Sequence, residues 1–297
     1  GEAVVLVELT HADEYARLRP RIGFGGPGSN RPAGAALELD EAAGLGLHPR
    51  LTGFKSLFDD GKLEIVQGVG YPNPNRSHFA SMDIWHTGRS DGQGTGWLGR
   101  YFDNSCNGSP IPEAAISIGR RAPLALMGDV QKPVSFEDAR LFRWKGEDLH
   151  DAMKAPYEKV VRAGALDGID PDSQAAYLMR TSLDAQISSD RIRAAVKRSA
   201  NAGYPRGPLA DQLRLIAAMI RDGMPTRVYY ATLGGFDTHG SQSGSHANLM
   251  GQLGDSVKAF QADLDAQGAA DQVLTMVFSE FGRRVAENGS GGTDHGT

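Results

Sequence analysis

Apolar residues along the chain fall into two alternating patterns. Short apolar runs suited to buried strands occur at Ala3–Leu9, Leu63–Val69, Ala114–Ile118, Thr226–Leu233 and Gln272–Ser279. The segments between them carry helical spacing. Pro49 to Asp60 puts Leu51, Phe54, Leu57 and Phe58 on one face, with Gly61 as its stop. Ser77 to Thr87 begins on a capping residue and ends before Gly88, and Trp97 to Phe102 begins another helix. Asp172 to Ala200 reads as a long polar helix with Met179, Leu183 and Ile187 spaced by four. Leu209, Leu213, Ile216 and Ile220 trace a stripe that ends at Gly223, and Asn248 to Ala266 carries Leu249, Leu253, Val257, Phe260 and Leu264. Strands alternating with helices predict an α/β fold with a largely parallel sheet. No repeat or convincing linker interrupts the chain, so a single domain over residues 1–297 is expected.

Composition narrows the class. Apolar residues are 40% and charged residues 23%, which excludes global disorder. The 38 glycines and 15 prolines are scattered rather than periodic, so they mark loops and not collagen. A net charge of −5 without a large basic block disfavours nucleic acid as a partner. No apolar run is long enough to span a membrane. Cys106 is the lone cysteine, which excludes internal disulfides and thiolate metal clusters. No signal peptide is visible; the first strand-like run begins at Ala3, so a leader could have been trimmed.

Three familiar motifs fail on context. Gly23 to Gly28 and Gly94 to Gly99 both match G-x-G-x-x-G, yet neither lies in a strand–turn–helix unit, so neither supports a dinucleotide site. Gly88-Arg-Ser90-Asp-Gly92 matches a nucleophile elbow but follows a helix, where the elbow needs a strand.

Stretches at the carboxyl ends of expected strands carry chemistry, where open α/β sheets place ligands. GGFDTHGSQ presents Asp237 and His239 two apart, pointing the same way if extended. Glu280 follows the run at 272–279 as a second carboxylate, and Arg283 and Arg284 could face an anionic substrate. NGSGGTDHG presents Asp294 and His295 from a glycine-rich turn. Carboxylates and imidazoles without thiolates suit a divalent cation such as Zn²⁺, Mn²⁺ or Mg²⁺. After the run at 63–69, Ser77 sits at a helix start, where a phosphate or sulfate group would be held and a serine near a metal activated. Each residue has a plainer reading taken alone: Ser77 as an N-cap, Asp237 and His239 as a hydrogen-bonded turn, Glu280 as a surface ion pair with Arg283 or Arg284, Asp294 and His295 as loop. His48 and His78 read as structural, capping or packing near turns, and His86 as part of one helix.

LHPRLTGF, YPNPNRSHFASMD, GWLGRYFD, GGFDTHGSQ and FSEFGRRVAENGSGGTDHGT, in this order, resemble the family catalogued as domain of unknown function 1501. That family resembles a branch of the alkaline phosphatase and sulfatase superfamily. The resemblance implies a three-layer α/β/α sandwich, two divalent metal ions (Zn, Mn, Mg or Ca), a hydroxyl nucleophile at a helix start, a small anionic ester as substrate, and export to the periplasm or beyond. It makes Ser77 the nucleophile candidate and Asp237, His239, Glu280 and His295 metal ligands, with Asp294 beside them. It also implies a Gly-Gly-(Asn or Asp)-Asp-Gly-Leu-Asn segment after the first strand, whose aspartate binds metal. Here Thr10 runs straight into His11, about ten residues short of that pattern, and the chain stops at Thr297 where the family continues into another core strand. The expected function is a metal-dependent hydrolase of phosphate or sulfate esters. The alternative is a non-catalytic binding or scaffold protein with an incomplete metal site. A metal-free serine hydrolase is a third reading, with His78 as the nearest base.

Overall fold

Leu6–Glu8 (β1), Leu37–Asp40 (β2) and Leu45–Leu47 (β3) form a small antiparallel sheet in the order β1-β3-β2. Leu47 at its centre faces Leu6 on one side and Leu37 on the other. This computed structural model describes residues 6–8, 12–25, 30, 34–40, 44–106, 111–139, 152, 170, 173–174, 188–197 and 203–296. The helices carry the labels α1 (Ala12–Leu18), α2 (Thr52–Asp59), α3 (His78–Thr87), α4 (Trp97–Ser105), α5 (Pro208–Arg221) and α6 (Gln242–Gln267). Residues 1–94, 201–217 and 232–297 form one compact unit, and residues 95–200 and 218–231 form a second.

In the first unit, α2 crosses α6 at close range. A Cβ on Gly53 would lie 2.2 Å from the Gly254 carbonyl oxygen, so only glycine permits this approach. Around the crossing, Leu51, Phe54 and Leu57 bury against the face of α6 that carries Met250, Leu253, Val257, Phe260 and Leu264. The three-to-four spacing on both helices delivers that apolar stripe. Helix α6 begins at Gln242, earlier than the apolar pattern predicts, because its first turn is anchored by polar contacts: Thr293 Oγ1 donates to Gln242 Oε1 at 2.8 Å. Helix α3 runs to Thr87 and stops at Gly88, whose φ of 62° is the left-handed conformation of a helix end.

In the second unit, Ala115–Ile118 (β4), Val134–Phe136 (β5) and Val228–Tyr230 (β6) pair in parallel in the order β5-β4-β6. All four residues of β4 are buried, as a central parallel strand requires. Its Ala115 packs with Phe102, Ala114 and Leu126, and Leu98, Val228 and Tyr230 close over them. The Asp103 carboxylate accepts backbone N–H bonds from Asp129, Val130 and Gln131, which fixes the loop before β5.

The protein is thus a mixed α/β chain, and several expected elements differ in detail. Residues 63–69 and 272–279 form no ladder with any described strand, although both read as strands. Val66, Val69, Leu274 and Met276 are exposed. High β-propensity reports a side chain's fit to a half-buried pleated surface, and it forms a strand only where a partner backbone lies alongside. Parallel pairing holds in the β4 sheet; β1, expected to join it, pairs antiparallel with β3 instead. Most of the helix expected over 172–200 lies outside the described residues, of which 188–197 are helical. Thr10 and His11, where the family segment is expected, also lie outside them. Among the described residues, no helix is long and apolar enough to cross a membrane.

Candidate metal centre

Four stretches of the first unit converge on one carboxylate oxygen. Asp237, from the turn before α6, presents Oδ1. His239 Nε2 lies 2.9 Å from it, His295 Nε2 3.0 Å, His78 Nε2 3.2 Å and Arg283 Nη2 2.8 Å. His239 Nε2 and His295 Nε2 are themselves 2.9 Å apart. One donor atom each from His78, Asp237 and His295 lies within 4.8 Å of the other two.

Local structure brings them there. His78 is the first residue of α3. Residues 282–284 run antiparallel to 294–296: Arg284 N–H donates to Asp294 O at 3.0 Å and Gly296 N–H to Gly282 O at 2.8 Å, setting Arg283 opposite His295. The glycine-rich turn is stitched to the Asp237 turn by Thr293 N–H to Thr238 O and Gln242 N–H to Gly291 O. Gly292 lies so close that a Cβ there would sit 2.3 Å from the His239 carbonyl carbon. Buried Phe281 floors the site, its ring 4.8 Å from that of His78 and 4.9 Å from that of His295.

Behind each histidine stands an acceptor. Glu280 Oε1 is 2.5 Å from His78 Nδ1, Asp294 Oδ1 is 3.2 Å from His239 Nδ1, and the Arg76 carbonyl is 2.7 Å from His295 Nδ1. These groups only accept, so each draws a ring proton to Nδ1; Asp237 Oδ1, which also only accepts, faces the three Nε2 atoms, where either a ring proton or a cation can stand. Ser81 Oγ and Trp85 Nε1 both donate to the Glu280 carbonyl, which fixes that residue's backbone.

Electrostatics follow from this crowding. Burial would raise the Asp237 pKa, but the His295, His78 and Arg283 side chains beside it outweigh this and hold the carboxyl well below its ordinary value. Asp294 is also held low, by Asn288 first and His239 second. The Arg283 side chain is only 1% exposed and also donates to Phe236 O, so it buttresses Asp237 from beneath.

A divalent cation fits this donor set. His78 Nε2 is buried and makes no hydrogen bond, although Asp237 Oδ1 is 3.2 Å away. A buried ring nitrogen without a hydrogen bond is available as a ligand to a cation. Imidazole and carboxylate donors with oriented Nδ1 partners are the usual make-up of zinc and manganese sites.

The residues nominated from sequence divide into groups. Asp237, His239 and His295 meet at the centre. Glu280 and Asp294 stand one step out, each against a histidine. Arg283 is buried under Asp237, and Arg284 is exposed. Ser77 is exposed beside His78 and is the N-cap residue of α3, as its plain reading has it, although its side chain makes no cap bond. His78, read as structural, belongs to the centre. Its position next to Ser77 in the nominated motif was the available signal. His48 is structural as expected: it is buried, and its Nδ1 accepts the Arg50 N–H.

The fold and site together define a mixed α/β protein with a three-histidine, one-aspartate centre. The chain belongs to the family described as protein of unknown function, DUF1501, whose model matches residues 64–297. No curated protein and no solved structure matches it.

Proposed function

We propose that this protein is an exported, metal-dependent hydrolase of phosphate or sulfate esters, with the three-layer α/β/α architecture and chemistry of the alkaline phosphatase and sulfatase superfamily. One observation carries the metal part: three Nε2 atoms surround Asp237 Oδ1 while their Nδ1 atoms face acceptors. Three Nε2 atoms facing an ionised oxygen form a donor set in which a divalent cation can replace ring protons, beside the positive charge that Arg283 already supplies. His78, Asp237, His239 and His295 would hold that cation, and Glu280 and Asp294 would orient His78 and His239. When bound, it would lower the pKa of a nearby hydroxyl and offset charge on the transferred group. Ser77 is the nucleophile we nominate, since its free hydroxyl stands one residue from both Arg76 O and His78. Its Oγ would attack the phosphorus or sulfur atom as the ester bond breaks, the serine's proton passing to the departing alcohol, and water would then release the phosphate or sulfate from the serine and restore its hydroxyl. Exposed Arg284 is available to the substrate anion, whereas Arg283 supports Asp237.

A second reading is a non-catalytic relative, favoured by Arg283 Nη2 resting on Asp237 Oδ1 at 2.8 Å. In that reading the arginine supplies the positive charge that a metal would. Elemental analysis of purified protein, joined to assays of aryl phosphate, phosphodiester and sulfate ester substrates, separates the two. The hydrolase reading expects bound metal and turnover that Ser77→Ala abolishes. Turnover surviving Ser77→Ala removes the nucleophile; metal without turnover of any ester supports the scaffold.

A further inference from the structure

We infer that Asn288 is a positioning residue of the metal centre, acting through Asp294 to fix the His239 ring; this rests on the metal reading above. Every hydrogen-bonding site of its amide is used within the centre's loops. Oδ1 accepts from Ser290 N–H at 3.0 Å and Gly292 N–H at 3.1 Å. Nδ2 donates to His239 O at 2.9 Å and to Asp294 Oδ1 at 3.0 Å. Two N–H groups on one side and two acceptors on the other determine which way the amide faces. Asp294 Oδ1 is the same oxygen that meets His239 Nδ1 at 3.2 Å. Asn288 therefore holds His239 twice, by its backbone carbonyl and by the carboxylate behind its ring. The Asp294 side chain is 47% exposed, so without this bond water would compete for the carboxylate and free its rotamer.

The turn alone does not require an amide. An aspartate at 288 would accept the Ser290 and Gly292 N–H bonds equally well. It would place a second carboxylate against Asp294, where the asparagine places a donor. The Nδ2 group is the part that serves the centre, and Asn288→Asp removes that part while keeping the turn.

The test uses the full chain, first metal-free and then with zinc. Long-range proton–nitrogen NMR of the metal-free protein should show His239 fixed as the Nδ1–H tautomer, and Asn288→Asp should average the two ring nitrogens. Competition with a chromophoric chelator should show zinc affinity falling roughly 10- to 100-fold in Asn288→Asp, the usual effect of losing an outer partner. In an Asp294→Ala background the same change should cost clearly less affinity, the remainder being the direct bond to His239 O. An unchanged His239 tautomer and unchanged affinity in Asn288→Asp overturn the inference. An equal loss with and without Asp294 overturns it as well, because Asn288 would then act through the loop alone. If the wild-type protein binds no zinc, the metal reading falls separately, and the metal-free His239 tautomer still decides the role of Asn288.

Discussion

His239 Nε2 and His295 Nε2 face each other at 2.9 Å, with Asp237 Oδ1 2.9 Å from the first and 3.0 Å from the second. Two imidazole lone pairs at that distance repel unless a proton or a cation lies between them. Dialysis against a strong chelator should therefore lower the thermal midpoint, and returning Zn²⁺ or Mn²⁺ should restore it by mass action on the folded state. His239→Ala and His295→Ala should each abolish that metal-dependent shift in a calorimetric scan. An identical midpoint with chelator and with excess metal would count against the centre.

Arg283 links the centre to the interior. Its side chain is 1% exposed and that of Asp237 51%, so the pair is part-buried and its worth is less than that of a fully buried pair. Arg283→Ala should cost about 1–3 kcal/mol in urea unfolding, from the lost hydrogen bonds to Asp237 and Phe236 and lost packing. Arg283→Lys should recover only part of this, since an ammonium cannot reproduce the guanidinium's directed bonds to Asp237 Oδ1 and Phe236 O. Full recovery by lysine would mean that charge alone matters there.

The centre was more legible in the sequence than the strands used to find it. Asp237, His239 and His295 were nominated as the ends of strands, yet residues 272–279 make no described ladder and β6 ends at Tyr230. What singled out these three residues, which lie together in the structure, was residue chemistry: imidazoles and carboxylates on glycine-rich turns. The helices were legible because their apolar spacing is local, as on α5 and α6. The short strands β2 and β3 were missed because three or four residues carry too little alternation to read. His78 and Asn288 were missed for another reason. Their partners, Glu280, Asp237, His239 and Asp294, lie on other loops, and only tertiary packing shows which oxygen a side chain meets.

Two glycines at the α2–α6 crossing should respond oppositely to the same change. A Cβ on Gly53 would stand 2.2 Å from backbone at Gly254, which cannot yield without moving a helix. A Cβ on Gly254 would meet nothing nearer than 3.4 Å, where the Leu51 side chain lies. Gly53→Ala should destabilise by about 1–3 kcal/mol or more through overpacking. Gly254→Ala should be neutral or gain up to about 1 kcal/mol of helix propensity. Chemical denaturation of the two variants side by side checks the crossing, and equal losses would refute it.

Stability should fall in mild acid because two histidines are buried together. The His48 and His246 rings meet edge to face at 5.4 Å, flanked by Phe24 and Phe236. Burial, then the charges of Arg19 and Arg283, push His246 down to about 4. Burial, then His246 and Arg50, push His48 down to about 3. An unfolded histidine takes its proton near pH 6.5. Above that pH neither state is protonated and these groups leave stability unchanged. As pH falls from about 6.5 toward 4, the unfolded chain binds protons that the native pair refuses, and stability declines. For His246 alone the loss is on the order of 3 kcal/mol, and the two losses are not additive because the rings adjoin. Urea unfolding of the chelator-treated protein at pH 7, 5.5 and 4.5 should show the decline. Stability should change less over that interval in His246→Leu, which keeps an apolar side chain in place but removes the titrating ring. A wild-type slope in the leucine variant would assign the acid sensitivity to other groups.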